Sequence, residues 1–201
     1  MASILKVDTI QNQSGNNIIN ENADTITIGA SGDTVALASG VTSGAGMGKV
    51  LQVVQATTNT EVTVASTSYT DTNLSGSITP SSTSSKILII VQQGMDISAN
   101  DTSIYGGIRL LRGGTVIFDP NTENATGPAT VGVKATGATA VTLRAINTFS
   151  YIDTPSTTSS VTYKTQGRPY TTANSGQVRF QIDGATNDQS SIITLMEIAG
   201  W

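Results

Sequence analysis

Ile104-Tyr105-Gly106-Gly107-Ile108-Arg109-Leu110-Leu111-Arg112-Gly113-Gly114-Thr115-Val116-Ile117-Phe118-Asp119 is the stretch that decides the fold class. Two runs rich in aliphatic residues are joined by a Gly-Gly pair, the pattern of an antiparallel hairpin whose tight turn needs positive φ. Working upstream, Lys86–Ile97 reads as a strong strand. Before it, Leu74 and Ile78 mark a short strand ahead of the turn at Pro80-Ser81-Ser82. Thr60–Tyr69 alternates through Val62 and Val64, and Lys49–Thr57 carries Val50, Leu51, Val53 and Val54. Downstream, residues 119–139 are rich in Asn, Thr, Gly, Ala and Pro. They read as a long exposed loop with at most a short strand at Val131-Gly132-Val133. Strands are then expected over Val141–Asp153, Ser160–Gln166, Gln177–Ile182 and Ser190–Ala199, with a turn at Asp183-Gly184. No window sustains a 3.6-residue period, so helix content should be minimal. About eight to ten short strands joined by polar turns fit a β-sandwich or jelly roll better than an open sheet.

Composition narrows the chemistry. The chain has 201 residues, 37% hydrophobic and only 12% charged, against roughly 25% charged in ordinary globular proteins. Ser, Thr, Asn, Gln and Gly replace the missing charge. The net charge is −4 with ten basic residues scattered singly, which leaves no electrostatic footprint for nucleic acid. No window approaches the length of apolar chain that crosses a membrane, and Met1-Ala2-Ser3-Ile4-Leu5-Lys6 lacks the apolar core of a signal peptide, so synthesis in the cytoplasm is expected. There is no cysteine and no histidine. Disulfides, thiolate ligands and the commonest general base are therefore missing, and a Ser-His-Asp machine cannot be built from one chain. No catalytic residue, cofactor or metal site is expected.

A tandem echo sets the organisation of the N-terminal part. Asp24-Thr25-Ile26-Thr27-Ile28 is repeated nine residues later as Asp33-Thr34-Val35-Ala36-Leu37. Strands this short bury little within their own chain and need neighbouring copies or neighbouring chains. With about two copies present, neighbouring chains are the remaining option, which predicts an intertwined stalk of three chains. Val41-Thr42-Ser43-Gly44-Ala45-Gly46-Met47-Gly48 reads as a linker of small residues. The expected domains are an attachment segment over 1–20, a β-repeat stalk and linker over 21–47, and a jelly-roll-like head over 48–201. Within the head, Ile87-Leu88-Ile89-Ile90-Val91 and Ile192-Ile193-Thr194-Leu195-Met196 are apolar on both faces. A sandwich strand needs only one buried face, so the second is expected to be covered, either by loops or by another copy of the same sheet.

Both ends of the chain and its layout resemble the short fibre-like virion proteins of tailed bacteriophages. The similarity is carried by Met1-Ala2-Ser3-Ile4-Leu5-Lys6-Val7-Asp8-Thr9-Ile10, the Asn/Gly/Asp-Thr-rich residues 22–40, and Lys49-Val50-Leu51-Gln52-Val53-Val54-Gln55. It continues through Ser77-Ile78-Thr79-Pro80-Ser81-Ser82-Thr83-Ser84-Ser85-Lys86-Ile87-Leu88, Arg109-Leu110-Leu111-Arg112-Gly113-Gly114 and Tyr151-Ile152-Asp153-Thr154-Pro155 to Ser191-Ile192-Ile193-Thr194-Leu195-Met196-Glu197-Ile198. The resemblance implies a homotrimer in the virion, anchored to other virion proteins through its N-terminus, with the C-terminal domain turned outward toward the host. It does not imply catalysis and carries no defined binding residues; from the sequence itself, no membrane insertion is expected.

Candidate recognition residues follow from exposure and chemistry. Tyr105, Tyr170 and Trp201 are aromatic handles for sugar stacking, and Asn121, Glu123 and Asn124 sit in the long loop, where sandwiches commonly carry recognition. Tyr105, Asn121, Glu123, Asn124 and Tyr170 are taken as the receptor-contact set. Arg109, Arg112 and Arg168 flank turns and are expected to be solvated or paired across chains. Of Asp96, Asp101, Asp119, Glu123, Asp153, Asp183 and Asp188, most adjoin Asn, Thr, Gly or Pro and read as turn formers. Glu197 sits in an apolar strand and is expected to be a paired or edge-exposed charge near an interface. Asn100-Asp101 and Asn187-Asp188 lack the spaced ligand series of a calcium loop. The expected function is a trimeric fibre or spike that adheres to a host-surface glycan or protein. The alternatives are a capsid-decorating or tail-collar fibre with no receptor role, and a lectin-like carbohydrate-binding module.

Overall fold

The structure, a computed structural model, describes residues 49–120, 130–137, 139–182 and 189–200. The expected attachment segment, the stalk and its linker, the Asp183-Gly184 turn and Asn187-Asp188 lie outside the described residues. Among those described, the chain forms strands β1 (Val50–Thr58), β2 (Val62–Val64), β3 (Thr70–Ile78), β4 (Lys86–Ala99), β5 (Ser103–Arg112) and β6 (Thr115–Phe118). These are followed by β7 (Val131–Lys134), β8 (Val141–Asp153), β9 (Val161–Pro169), β10 (Gln177–Phe180) and β11 (Ser191–Ile198), with one 3-10 turn at Ala173–Ser175.

The strands make two antiparallel sheets. The first runs β1-β11-β4-β10-β2, with β8 also paired to β4; the second runs β3-β9-β5-β6, with β7 also paired to β5. Strand β8 pairs with β4 from Ile87 to Ala99, so β11 and β10 share the opposite edge of β4, one after the other. The reason for two layers is visible in the alternation. In β4, Ile87, Ile89, Val91, Met95 and Ile97 are fully buried, and in β5 Ile104, Ile108 and Leu110 face them from the other sheet. Burying each such side chain stabilises by about 1.5–3 kcal/mol. The Gly113-Gly114 turn forms as the sequence requires, with Gly113 at φ 57°.

The reading of β3 differs from expectation. Only Leu74 and Ile78 mark it as apolar, yet it spans nine residues with Thr72, Leu74, Gly76 and Ile78 all facing inward. Thr72 and Gly76 occupy core positions without being hydrophobic; a Cβ on Gly76 would lie 3.2 Å from Ile193. Conversely, only Val62–Val64 of the expected Thr60–Tyr69 strand finds a partner, on β10.

A belt of polar side chains divides the core. Below it lie Leu74, Ile78, Ile87, Ile89, Val91, Leu110, Tyr163, Ile193 and Leu195; above it lie Val64, Met95, Ile97, Ile104, Ile108, Val178 and Phe180. Between the two, the hydroxyls of Thr72 and Thr165 are 2.5 Å apart, and Thr165 Oγ1 donates to Gln93 Oε1 at 2.7 Å. The Ser191 hydroxyl accepts from Gly94 N at 2.9 Å and from Gln181 Nε2 at 2.7 Å. All five side chains are fully buried, and each has a partner, as buried polar groups require.

Glu197 corrects its expectation. It is neither edge-exposed nor paired with a cation but fully buried at the end of β11. Gln52 Nε2 donates to it at 2.6 Å, and the Ser81 amide, Ser81 Oγ and Ser85 Oγ each donate at 2.7 Å. Burial pushes this carboxyl up, but the donors of Gln52, Ser81 and Ser85 outweigh it and bring it down to about 2. The Ser-rich stretch after Pro80 is thus a clamp that ties the β3–β4 connection to the last strand.

Because the folded value lies below the unfolded one, near 4.5, the stabilisation is full above that pH and is lost as pH falls toward 2. Glu197→Gln should cost about 3 kcal/mol at neutral pH in urea unfolding. The gap between variant and parent should close as the pH is lowered through that window. A gap unchanged at pH 2.5 would sink the assignment.

Candidate functional site

The outward face of the second sheet gathers the chemistry. Register places Gly107 opposite Arg168, Arg109 opposite Gln166 and Leu111 opposite Lys164, while Asp71 of β3 stands across from Gln166. Strand alternation sends Ile108, Leu110, Tyr163 and Thr165 into the core, which leaves Arg109, Lys164, Gln166, Arg168 and Asp71 on the outside. Tyr69, just before β3, lies beneath both guanidinium groups: Arg109 Cζ is 3.9 Å and Arg168 Cζ 5.0 Å from its ring centroid. Such stacking is worth about 0.5–1 kcal/mol at exposed sites and more when water is excluded.

Hydrogen bonds then lock the face into a relay. Arg109 Nε and Nη2 both donate to Gln166 Oε1, at 3.1 and 2.7 Å. Gln166 Nε2 donates to Asp71 Oδ1 at 2.7 Å, and Lys164 Nζ donates to Asp71 Oδ2 at 2.7 Å. The bond from Lys164, with help from Gln166, holds the Asp71 carboxyl below its ordinary value. Arg168 Nη1 donates to the Thr67 carbonyl at 2.9 Å, and the Tyr69 hydroxyl reaches Asp119 at 3.4 Å. Burial and the Asp119 charge raise the Tyr69 hydroxyl above its usual value, against the pull of Arg168 and Arg109.

Tyr105 and Tyr170, chosen from sequence, are brought together at one end of this face. Their rings meet edge to face, with centroids 6.4 Å apart, and the Tyr170 amide donates to the Tyr105 carbonyl at 2.8 Å. Tyr105 lies flat over Gly132 of β7, where any Cβ would enter the ring. Tyr170 stays 43% exposed and is the open platform. At the other end, Asn73 at φ 62° lies in an irregularity between Asp71 and Ser75 and lines a cleft of about 190 Å³. Asn tolerates this left-handed backbone better than other side chains. Asn121, Glu123, Asn124 and Trp201 lie outside the described residues.

Several other candidates are structural. Arg112 is paired within its own chain, with Asp153 at 2.9 Å, and the Tyr163 hydroxyl donates to the same carboxylate at 2.7 Å. Asp96 and Asp153 are not turn formers. Asp96 is buried in mid-strand between Arg144 at 3.0 Å and Arg179 at 3.2 Å. Asp101 does form a turn, accepting from Thr102 N at 2.6 Å and Asn174 Nδ2 at 2.7 Å.

A flat, rigid surface with one open aromatic ring, guanidinium donors and amide and carboxylate acceptors suits a polyhydroxylated ligand, which offers C–H faces for stacking and hydroxyls for bonding. Tyr69 escaped the sequence reading because nothing local marks Ser68-Tyr69-Thr70, and Arg109 and Arg168 stand out there only as charges flanking turns; the cluster exists only through the β3–β9–β5 register. No protein-family model matches the chain, and no curated protein matches it significantly.

Gly132→Ala should push Tyr105 off β7 and remove its contact with Tyr170, at a cost of about 1 kcal/mol in stability. Gly114→Ala, whose Cβ meets nothing within 4 Å, is the matched control and should leave the melting temperature in place. Equal melting temperatures for the two variants would show that Tyr105 is not seated as described.

Proposed function

We propose that the chain is a structural virion protein of a tailed bacteriophage: a homotrimeric fibre or spike, anchored through residues 1–20, carried on a stalk over 21–47, and ending in a jelly-roll-like head over 48–201. The fibre part of this reading is supported by the ordered motifs from Met1-Ala2-Ser3-Ile4 to Leu195-Met196-Glu197-Ile198. The adhesive part is carried by one observation. Tyr105, Arg109 and Arg168 sit on the outer surface of strands, and Tyr69 just before β3 and Tyr170 just after β9 pack against them, so their positions are set before any ligand arrives. Preformed sites avoid the ordering cost that a loop would add. Three copies on one stalk convert weak sugar contacts into firm attachment through effective concentration.

The same exposed Tyr170 favours a second reading, a lectin-like module acting without a virion. Labelled antibody against the head separates the readings: decoration at fibre tips supports the first, capsid-wide labelling supports a decorating protein, and absence from virions leaves the lectin. Light scattering of the full chain should give about three times 20.7 kDa. The purified protein should compete with phage for adsorption to host cells. Tyr170→Ala should weaken that competition about tenfold, the loss typical of one aromatic anchor. Unchanged competition by Tyr170→Ala would move adhesion away from this face.

A further inference from the structure

Three of the five arginines are held by carboxylates, Arg112 by Asp153 and both Arg144 and Arg179 by Asp96. The other two, Arg109 and Arg168, pair with no carboxylate among the described residues and share the ring of Tyr69. Stacking occupies the flat face of a guanidinium and leaves its N–H edge to find an acceptor. Arg109 turns that edge to the amide oxygen of Gln166, and Arg168 turns one nitrogen to the Thr67 carbonyl; both acceptors are uncharged. Arg168 Nε is buried with no hydrogen-bond partner among the described residues, a donor removed from water without compensation. The face is positive although the chain carries a net −4. Arg109, Lys164 and Arg168 stand against Asp71 and Asp119; Lys164 neutralises Asp71 at 2.7 Å, and Asp119 accepts from the Tyr69 hydroxyl at 3.4 Å.

We propose that this face binds a carboxylated polysaccharide, a polymer of uronic acid units, laid along β9 with a sugar ring on Tyr170 and carboxylates on Arg168 and Arg109. The proposal rests on the adhesive reading above and names the chemical class of its ligand. Charge selects that class. A planar carboxylate meets a guanidinium fork with two parallel hydrogen bonds, which a neutral hydroxyl does not supply. A neutral glycan would leave both stacked cations facing uncharged oxygen. Spacing agrees with the choice. Outward positions on a strand recur about every 6.8 Å, so the Arg168 guanidinium lies one such step from the Tyr170 platform. In a uronic acid the carboxylate is bonded directly to the ring, so a ring seated on the tyrosine carries its charge toward that arginine. The track continues past Gln166 to the cleft that Asn73 and Lys164 line. From Tyr170 to Lys164 it covers roughly 20 Å at about 3.4 Å per residue, room for several sugar units.

Calorimetric titration of the full chain tests the proposal. The probes are tetramers of galacturonate, glucuronate and mannuronate, each beside its methyl ester, which keeps the sugar and removes the charge. At low salt at least one acid should bind about tenfold more tightly than its ester, the difference one charge-assisted hydrogen bond makes. The preference should shrink as salt is raised. Arg168→Gln should erase it, whereas Tyr170→Ala should weaken acid and ester together. Acid against ester in the parent protein needs no variant, so the test stands even where Arg168→Gln fails to fold. Equal binding of acids and esters overturns the charge preference and leaves glycan adhesion in place. Tighter binding of dextran sulfate than of every uronate overturns the carboxylate assignment. Binding of none of the tetramers overturns the uronate ligand altogether, and adhesion is then decided separately by the Tyr170→Ala competition for host cells.

Discussion

Strand β4 is the constraint on which the sandwich depends. It is hydrogen-bonded along one edge by β8 and along the other by β11 and then β10, so both halves of the first sheet are aligned by a single fourteen-residue run. Its inward side supplies Ile87, Ile89 and Val91 to one apolar cluster and Met95 and Ile97 to the other. Its outward side supplies Leu88 and Ile90 to the exposed surface and Asp96 to the pair of arginines. A break in β4 would therefore uncouple elements that never touch one another directly.

Much of this was legible in the residues. Strand β8 occupies Val141–Asp153, the same bounds that alternation suggests, and the Gly113-Gly114 hairpin forms between Ser103–Arg112 and Thr115–Phe118. The illegible parts share a physical cause: polar or small residues serving where apolar ones are expected. Thr72 is buried because Thr165 and Gln93 satisfy it, Gly76 because Ile193 and Leu195 fill its space, and Glu197 because a serine loop folds over it. A pattern of hydrophobicity cannot register satisfaction by a distant partner. The recognition face shows the same limit. Tyr105 and Tyr170 stand out one at a time as aromatic residues, but their contact, and the whole Tyr69–Arg109–Arg168 group, depend on which strand lies beside which.

The two outer surfaces are chemically unlike, and the difference follows from residue choice at equivalent strand positions. Outward positions of β5 and β9 carry Arg109, Lys164, Gln166 and Arg168, which bond along the surface and stay compatible with water. Outward positions of β4, β8 and β11 carry Leu88, Ile90, Ile152, Ile192 and Met196, which make no such bonds. The apolar surface loses free energy in water and gains it on contact, whereas the charged one would lose hydration. One sandwich thus has a side suited to permanent cover and a side suited to display.

The polar belt through the core has a further effect on alignment. Ile87, Ile89 and Val91 resemble one another in size, as do Ile193 and Leu195, so packing alone would tolerate a slip of β4 against β11 by one full pleat. Such a slip would carry Gln93 away from Thr165 and Ser191 into an apolar layer, stranding its amide at a cost of about 1–3 kcal/mol for each orphaned group. The amide acts like the notch in a key. Otherwise interchangeable aliphatic rungs are given an absolute position, and the strand-to-strand ladder has one setting in place of several.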